Sequence, residues 1–211
     1  MLLKHSFTEG GKRLDDAWML INLRDAFIDI VSPLHSNVAD TLTTQGLARL
    51  HCLAMNHLLN DNELGVVRTV ASSIVGSAYK PISSPGDLKN LLTTLLKNAN
   101  SIENPFEQAV YVHCNLAYLQ FFHDGNKRTA RLMQTAILVA NKITPVFFSE
   151  DAVYPYLNAI VTYYETGDYS LYKTLFLEEY ENTIKHLLGQ SPEQLRAQQL
   201  ANESIQSQKI K

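Results

Sequence analysis

Apolar residues recur at three- and four-residue steps along most of this chain, which is the pattern of amphipathic helices packed around a shared core. Pro, Gly, Ser and Asn lie between these stretches, where helices begin and end. The pattern predicts an all-α fold. The stretches with helical periodicity are residues 12–31, 41–54, 84–96, 104–120, 126–140, 156–167 and 168–189.

The first two stretches predict specific faces and ends. The helix over residues 12–31 is expected to end at Ser32, because the following Pro33 disfavours helical geometry in the residue before it. The next helix is expected to start at Thr41, a residue type that caps helix N-termini. The predicted core face of the first helix is Leu14, Trp18, Ile21, Ile28 and Val31, and that of the second is Leu47, Leu50, Leu53 and Ala54.

Two later stretches meet at a polar turn. Residues 104–120 carry an apolar stripe that ends on Gln120, which is expected to point inward just where the chain turns. Residues 126–140 are apolar nearly all round, which predicts the central helix of a bundle. The sequence across the turn, residues 120–131, reads QFFHDGNKRTAR. It places an acid, a Gly-Asn pair and three cations between two helices.

Residues 64–83 differ from the rest of the chain. They are rich in Val and Ile and are interrupted by Gly76 and Pro81, so they lack a helical repeat. This composition predicts an irregular loop or a small β-hairpin on the helical body.

Composition excludes several classes of function. The chain has 211 residues, of which 45% are hydrophobic, enough for one domain with a full core. Lys and Arg number 18 against 21 Asp and Glu, so the net charge of −3 gives no support to a nucleic-acid or membrane partner. Cys52 and Cys114 lie in apolar helical patterns and are expected to be reduced. With no signal peptide or membrane-spanning stretch in the sequence, a cytoplasmic protein is expected.

The polar turn has the chemistry of an anion site. A helix N-terminus offers unpaired N–H groups and a partial positive charge, and Gly125 can aim successive amides into one concavity. Arg128 and Arg131 add bidentate donors for a polyphosphate. Asp124 is placed to hold an Mg²⁺ ion that bridges the phosphates. The alternative is a plain surface turn in which Asp124 caps the helix and the arginines form ordinary ion pairs.

The turn and its flanks resemble the Fic (Fido-domain) family, whose signature reads H-x-F-x-[D/E]-G-N-[G/K]-R-x-x-R. Every signature position from the phenylalanine onward fits in register, and further landmarks extend the resemblance over roughly residues 40–185. The fitting positions are Phe122, Asp124, Gly125, Asn126, Lys127, Arg128 and Arg131. The landmarks are Leu50-His51 through Leu59, residues 65–68, residues 76–81 and His113.

The resemblance implies an all-helical Fic/Fido bundle with a small β-hairpin flap and protein adenylyltransferase activity, the transfer of AMP from ATP to a Ser, Thr or Tyr hydroxyl. Asp124 would hold Mg²⁺ and, with Arg128, would belong to the catalytic group. The implied nucleotide-binding residues are Gly125, Asn126, Lys127, Arg128 and Arg131. The implied flap residues, which would hold a target protein by strand addition, are Ser77, Ala78 and Tyr79.

Gln120 departs from the signature at its first position, where the family has the histidine that acts as general base. A carboxamide cannot accept a proton near neutral pH, and losing a general base costs about 10²–10⁴ in rate. AMP transfer is therefore expected to be weakened or lost while Mg-ATP binding survives. His113 is expected to be a hydrogen-bonded core residue, and His123 is expected to face solvent, so neither is expected to replace the base.

Two further positions leave alternatives open. Lys127 resembles the death-on-curing branch of the family, which transfers phosphate instead of AMP. Glu9, in the run HSFTEGG, comes close to the pattern of the family's inhibitory helix and would pair with Arg131. A third alternative is a protein-binding module without nucleotide or catalysis. The oligomeric state is open.

These observations predict three regions: residues 1–40 as an N-terminal helical extension with a possible inhibitory segment, residues 41–189 as the Fido domain, and residues 190–211 as a polar tail.

Overall fold

Eight α-helices dominate the described part of the chain, residues 14–32 and 38–189 of a computed structural model. No β-strand occurs in these residues, and two short 3₁₀ helices complete the regular structure. The helices are α1 (Leu14–Val31), α2 (Val38–Thr41), α3 (Thr44–Met55), α4 (Pro85–Asn100), α5 (Pro105–Leu119), α6 (Asn126–Ala140), α7 (Val153–Thr166) and α8 (Ser170–Leu187). The predicted all-α class is confirmed. The predicted tail at residues 190–211 lies outside the described residues.

The pair α5 and α6 forms the centre of the bundle, and the pattern predicted this place for the helix of residues 126–140, which is α6. These two helices share the most extensive contact in the fold, and α3, α4, α7 and α8 pack around them. Both helices bury most of their side chains, including Val112 and Ala117 in α5 and Met133 and Ile137 in α6. The turn that joins them is therefore supported on several sides by the core.

Helix α1 buries a different face from the one predicted. Leu14, Ile28 and Val31 are exposed, whereas Asn22 and Ala26 are buried together with Ile30. The buried polar residue explains the rotation: Asn22 Nδ2 donates to the carbonyls of Ala54 (3.3 Å) and Asn56 (2.7 Å) at the end of α3. The last carbonyls of a helix have no partner within the helix, and the Asn22 side chain of α1 supplies the donor for those at the end of α3.

The start of α3 also differs from the prediction. Thr41 ends the short helix α2, and α3 starts at Thr44 with Thr43 as its N-cap. The Thr43 hydroxyl accepts the Gly46 N–H at 2.9 Å, which satisfies one of the free amides of the first turn. The predicted core residues Leu47, Leu50 and Ala54 are buried.

The segment before α4, residues 64–84, contains no strand, so the small β-hairpin is not seen. A turn at Val75 and Gly76 divides the segment into two irregular limbs, and we call residues 64–84 the flap. Instead of pairing with each other as a ladder, the limbs are bonded to side chains of the body. The Glu165 carboxylate accepts the Ala78 N–H, for example, at 3.0 Å.

Among the described residues, no helix has the length and apolar character that a membrane crossing requires.

We expect Asn104→Ala to lower the free energy of unfolding by about 1 kcal/mol. The Asn104 side chain caps α5 by accepting the N–H groups of Phe106 (2.9 Å) and Glu107 (3.2 Å), and alanine leaves both amides unpaired. Urea denaturation measures the loss. Asn98→Ala, on the exposed side of α4, is the control and should change stability by less than about 0.5 kcal/mol. Equal losses in both variants would contradict the assignment of the cap.

Candidate functional site

The turn between α5 and α6 opens into a polar cavity of about 360 Å³. The cavity brings together every predicted site residue of the motif with two serines of the flap. Its lining residues are Ser72, Ser73, Gln120, His123, Asp124, Gly125, Asn126, Lys127, Arg128 and Arg131. A volume of this size suits a small ligand.

Gln120 ends α5 in the left-handed region, with φ of 47° and ψ of 51°. Its carboxamide is bonded within the protein: Nε2 donates to the Ala117 carbonyl at 2.7 Å, and Oε1 accepts from Asn126 Nδ2 at 3.4 Å. Only 9% of the residue is exposed. The inward orientation is confirmed, and the side chain offers no base to the cavity.

Asn126 closes the turn on itself. Its Oδ1 accepts the Phe122 N–H at 2.8 Å, and its Nδ2 donates to the Phe122 carbonyl at 2.9 Å. Both backbone groups of one turn residue are thus satisfied by one amide side chain, which only Asn or Gln can do. Asn126 is buried, and its hydrogen bonds to Phe122 hold the turn in shape.

His51 supports the turn from α3. Its Nδ1 accepts the Gly65 N–H at 2.9 Å, so its Nε2 carries the proton and donates to the Asp124 carbonyl at 3.0 Å. The ring also stacks on Phe122, with centroids 3.8 Å apart. Burial lowers the pKa of His51 despite the opposing effect of Asp124, which matches the neutral form that both hydrogen bonds require.

Gly125 is required by backbone geometry and by space. Its φ is 75°, where residues with a side chain are strained. A Cβ at this position would lie 2.4 Å from the Met55 sulfur, which packs against the turn. Its carbonyl accepts the Thr129 N–H at 2.8 Å, the first backbone bond of α6. The amides of residues 126–128 precede that bond and have no backbone partner in the helix.

Asp124, Lys127, Arg128 and Arg131 are the charged side chains of the motif that line the cavity. Arg128 Nη2 lies 3.5 Å from Asp124 Oδ2, and Arg128 Nη1 is buried without an acceptor among the described residues. The Arg131 guanidinium carbon lies 4.6 Å from the ring centre of Tyr156, a cation–π contact. Both arginines line the cavity, and two guanidinium groups near a helix N-terminus have the charge and the donors that suit an anion.

Among the described residues, Asp124 is the only carboxylate that lines the cavity. Its Oδ1 accepts the Gly125 N–H at 2.6 Å, and its side chain is 66% exposed. No group of three or more His, Cys, Asp or Glu side chains in the described chain is arranged to hold a metal. One carboxylate fits Mg²⁺, because this ion keeps several waters and is completed by substrate phosphates.

Two histidines near the motif have different environments. His113 is fully buried and its Nε2 lies 3.2 Å from the Tyr156 hydroxyl, which confirms the predicted core histidine. Burial lowers its pKa well below the usual value. The prediction that His123 faces solvent is wrong. His123 is half-buried, lines the cavity, and has its Nδ1 3.6 Å from Glu63 Oε1, because the 3₁₀ helix at Asp61–Glu63 covers it.

The predicted flap residues lie against α5 and α7. Ser77 and Ala78 both donate to Glu165 Oε1, at 2.9 and 3.0 Å, and these bonds lower the pKa of that carboxyl. The Tyr79 ring stacks on Tyr118 with centroids 4.2 Å apart. The amides of residues 77–79 all donate to acceptors within the chain. The part of the flap that lines the cavity is instead the first limb, at Ser72 and Ser73.

Sequence reasoning gave no role to Arg68, which belongs to the flap and is fully buried. The signal was present: a single arginine follows two valines in a stretch otherwise free of charge until Lys80. Glu9, the predicted inhibitory residue, lies outside the described residues.

Comparison with known proteins agrees with the fold and the motif. A sequence model of the Fic/DOC family matches residues 41–138, which include the whole turn. Those residues form a Fic/DOC family domain.

The sequence relatives are named protein adenylyltransferases. Protein adenylyltransferase Fic of Nematostella vectensis is 30% identical over 127 residues, covering 57% of this chain and 29% of the relative. The protein of the same name from Aedes aegypti is 26% identical over 159 residues, covering 74% of this chain and 31% of the relative. This chain therefore spans under a third of the relatives' length.

Solved Fic structures share the architecture. Fic-1 (residues 134–508) from C. elegans matches with a TM-score of 0.70 at 20% identity, covering 90% of this chain and 54% of that one. BepC of Bartonella tribocorum, solved with bound AMPPNP, matches with a TM-score of 0.55 at 15% identity, covering 85% of this chain and 94% of that one. At these identities the likeness concerns the fold.

We expect Gly125→Ala to lower the free energy of unfolding by about 1–3 kcal/mol, from left-handed strain and the collision with Met55. Gly167→Ala is the matched control: its φ is also 75°, but no atom lies within 4 Å of the added Cβ. In Gly167→Ala, the free energy of unfolding should fall only by the cost of the left-handed strain. In a double-mutant cycle measured by denaturation, Met55→Ala should reduce the cost of Gly125→Ala. Strict additivity would show that the collision does not exist.

Stability should fall as pH drops through the ordinary titration range of histidine, because His113 is neutral in its buried site. Its folded pKa lies below the unfolded value of about 6.5, so the unfolded state binds more protons. The stabilisation is present above about pH 6.5 and declines below it, by up to about 1.4 kcal/mol per pH unit.

Denaturation at pH 7, 6 and 5 measures the slope, and His113→Phe should flatten it while keeping the stack on Tyr172. An unchanged slope in that variant would contradict the assignment.

Proposed function

We propose that this protein binds Mg-ATP at the turn of residues 124–131 and belongs to the adenylyltransferase-like part of the family, with AMP transfer to a protein hydroxyl weakened or lost. The observation that carries the proposal is the cavity of about 360 Å³ in which Arg128 and Arg131 meet the free amides of α6. These groups match a polyphosphate in charge and in hydrogen bonding.

The donor of Arg128 that has no acceptor supports the binding of an anion at this site. Its Nη1 is buried with no acceptor among the described residues, and a buried unpaired donor costs free energy that a ligand oxygen would recover. The names of the sequence relatives and the AMPPNP in BepC supply the class of ligand, a nucleoside triphosphate.

Asp124 would be the protein ligand of Mg²⁺ beside those phosphates, and it supplies the negative charge that a hard cation prefers. When bound, the ion would neutralise charge on the phosphates. To reach it, the carboxylate would exchange its 3.5 Å contact with Arg128 for the metal. That contact is exposed and therefore weak.

Weak transfer follows from the chemistry at Gln120. In a family reaction the target oxygen attacks the α-phosphorus, the bond from phosphorus to the bridging oxygen breaks, and pyrophosphate leaves. The hydroxyl proton needs an acceptor, and a carboxamide bonded to Ala117 and Asn126 offers none. Nucleotide binding makes no such demand, so the two activities separate.

Calorimetry with ATP and Mg²⁺ tests binding. We expect binding by the unmodified chain and a loss of about 10- to 100-fold in affinity for Arg131→Gln, because each charge-assisted bond contributes about 1.5–3 kcal/mol. Lys185→Gln, a cation on α8 that pairs with Glu181, is the control and should bind normally. Glu9→Gly is measured in parallel, because an inhibitory glutamate would mask binding. The absence of binding heat in both the unmodified chain and Glu9→Gly would refute the proposal.

Incubation with ATP labelled at the α-phosphate tests transfer. The unmodified chain should label proteins weakly or not at all, and Gln120→His should increase the rate by about 10²–10⁴. Histidine tolerates the left-handed backbone at this position better than most residues. Strong labelling without the substitution would overturn the account of the missing base. Label transferred only from the γ-phosphate would identify a phosphate-transferring enzyme instead.

A further inference from the structure

Arg68 joins the flap to the motif turn through hydrogen bonds in three directions. Its Nε donates to the Gln120 carbonyl at 2.5 Å, its Nη1 donates to the Val70 carbonyl at 2.7 Å, and its Nη2 donates to the Ile82 carbonyl. Its own N–H donates to the Phe121 carbonyl at 3.0 Å. Arg68 thus contacts two residues of the motif turn and one residue in each limb of the flap, Val70 and Ile82.

The burial of Arg68 makes this arrangement unusual. The side chain is 0% exposed, and no carboxylate of the described chain lies within ion-pair distance. Burying a cation without a counter-charge is costly unless its donors are all satisfied. Burial accordingly lowers the pKa of the guanidinium. Backbone carbonyls accept the hydrogen bonds that a carboxylate would otherwise accept. The directions of the guanidinium N–H groups therefore matter more for this site than the positive charge.

The carbonyl that Arg68 Nε holds belongs to a strained residue. Gln120 is not glycine, yet its φ is 47°, a conformation that persists only when its surroundings enforce it. The side-chain bonds of Gln120 act on its carboxamide, whereas the bond from Arg68 acts on its peptide plane. That plane sets the direction in which the chain enters the turn at residues 121–125.

We propose that Arg68 is a positioning residue for the nucleotide site: it fixes the entry of the motif turn and spaces the flap above the cavity that the turn forms. The inference rests on the proposed function for its ligand and assigns to Arg68 no contact with that ligand. Its fork cannot be copied by lysine, which presents a single point charge. Glutamine lacks both the charge and the reach.

Affinity for Mg-ATP, measured by calorimetry, tests the functional part. Arg68→Gln should weaken binding by at least about 10-fold, and Arg68→Lys should lie between it and the unmodified chain because lysine keeps some of the bonds. Phe176→Leu, in the buried core on α8, is the control for general destabilisation at a comparable loss of Tm. Its affinity should not change. Equal affinity in all variants would overturn the inference.

Nuclear magnetic resonance tests the geometric part without nucleotide. In the unmodified chain, the Arg68 Nε–H should exchange with solvent at least about 100-fold more slowly than that of Arg24, whose side chain is 66% exposed. Arg68→Lys should shift the amide signals of both Phe121 and Ala71, whose N–H groups belong to the peptides with the Gln120 and Val70 carbonyls, whereas Phe176→Leu should leave them unchanged. Fast exchange, or a shift confined to one of the two segments, would overturn the positioning role.

The two measurements separate the possible failures. If the unmodified chain does not bind Mg-ATP, the proposed function fails, and resonance still decides whether Arg68 joins the flap to the turn. If it binds and Arg68→Gln binds equally well, the positioning role fails alone. If Arg68→Gln does not fold, Arg68→Lys and the exchange rate in the unmodified chain carry the test.

Discussion

The motif turn depends on side chains that hydrogen-bond its backbone. A turn with positive φ at Gln120 and Gly125 cannot satisfy its own carbonyls through a helical ladder, so donors must come from elsewhere. They come from three parts of the fold: α3, the foot of the flap, and the first residue of α6. The donors are His51, Arg68 and Asn126. Because His51 and Arg68 lie far from the turn in sequence, the turn depends on the packing of α3 and of the flap against it.

Under the proposed function, this dependence separates nucleotide binding from proton transfer. The proposed anion-binding groups lie on α6, and they need only the turn and the helix N-terminus to be in place. Proton transfer needs one further side chain at the end of α5, where Gln120 is bonded inward. The same hydrogen bonds that stabilise the turn therefore hold a carboxamide inward at the position where the Fic signature has its histidine. Structure and catalysis place different demands on this position.

The flap shows how short-range patterns mislead. Valine, isoleucine and a glycine turn predict a hairpin, but hairpin strands form when each limb finds its partner in the other. Here Arg68 and Glu165 take up backbone groups of the limbs, and Tyr79 packs on Tyr118. The limbs are irregular and do not pair as strands. Side chains from α7 and from the segment itself bond the backbone of the limbs, and the hairpin pattern does not show these bonds.

The sequence by itself determined the helical class, the central helix α6 and the in-register motif, because helical periodicity and turn chemistry are local properties. It also predicted the inward face of Gln120 and a core role for His113. It did not determine the buried face of α1, the partial burial of His123 or the role of Arg68. Those depend on contacts between residues distant in sequence, such as Asn22 with the end of α3. Tertiary packing decided where the polar groups of this chain find their partners.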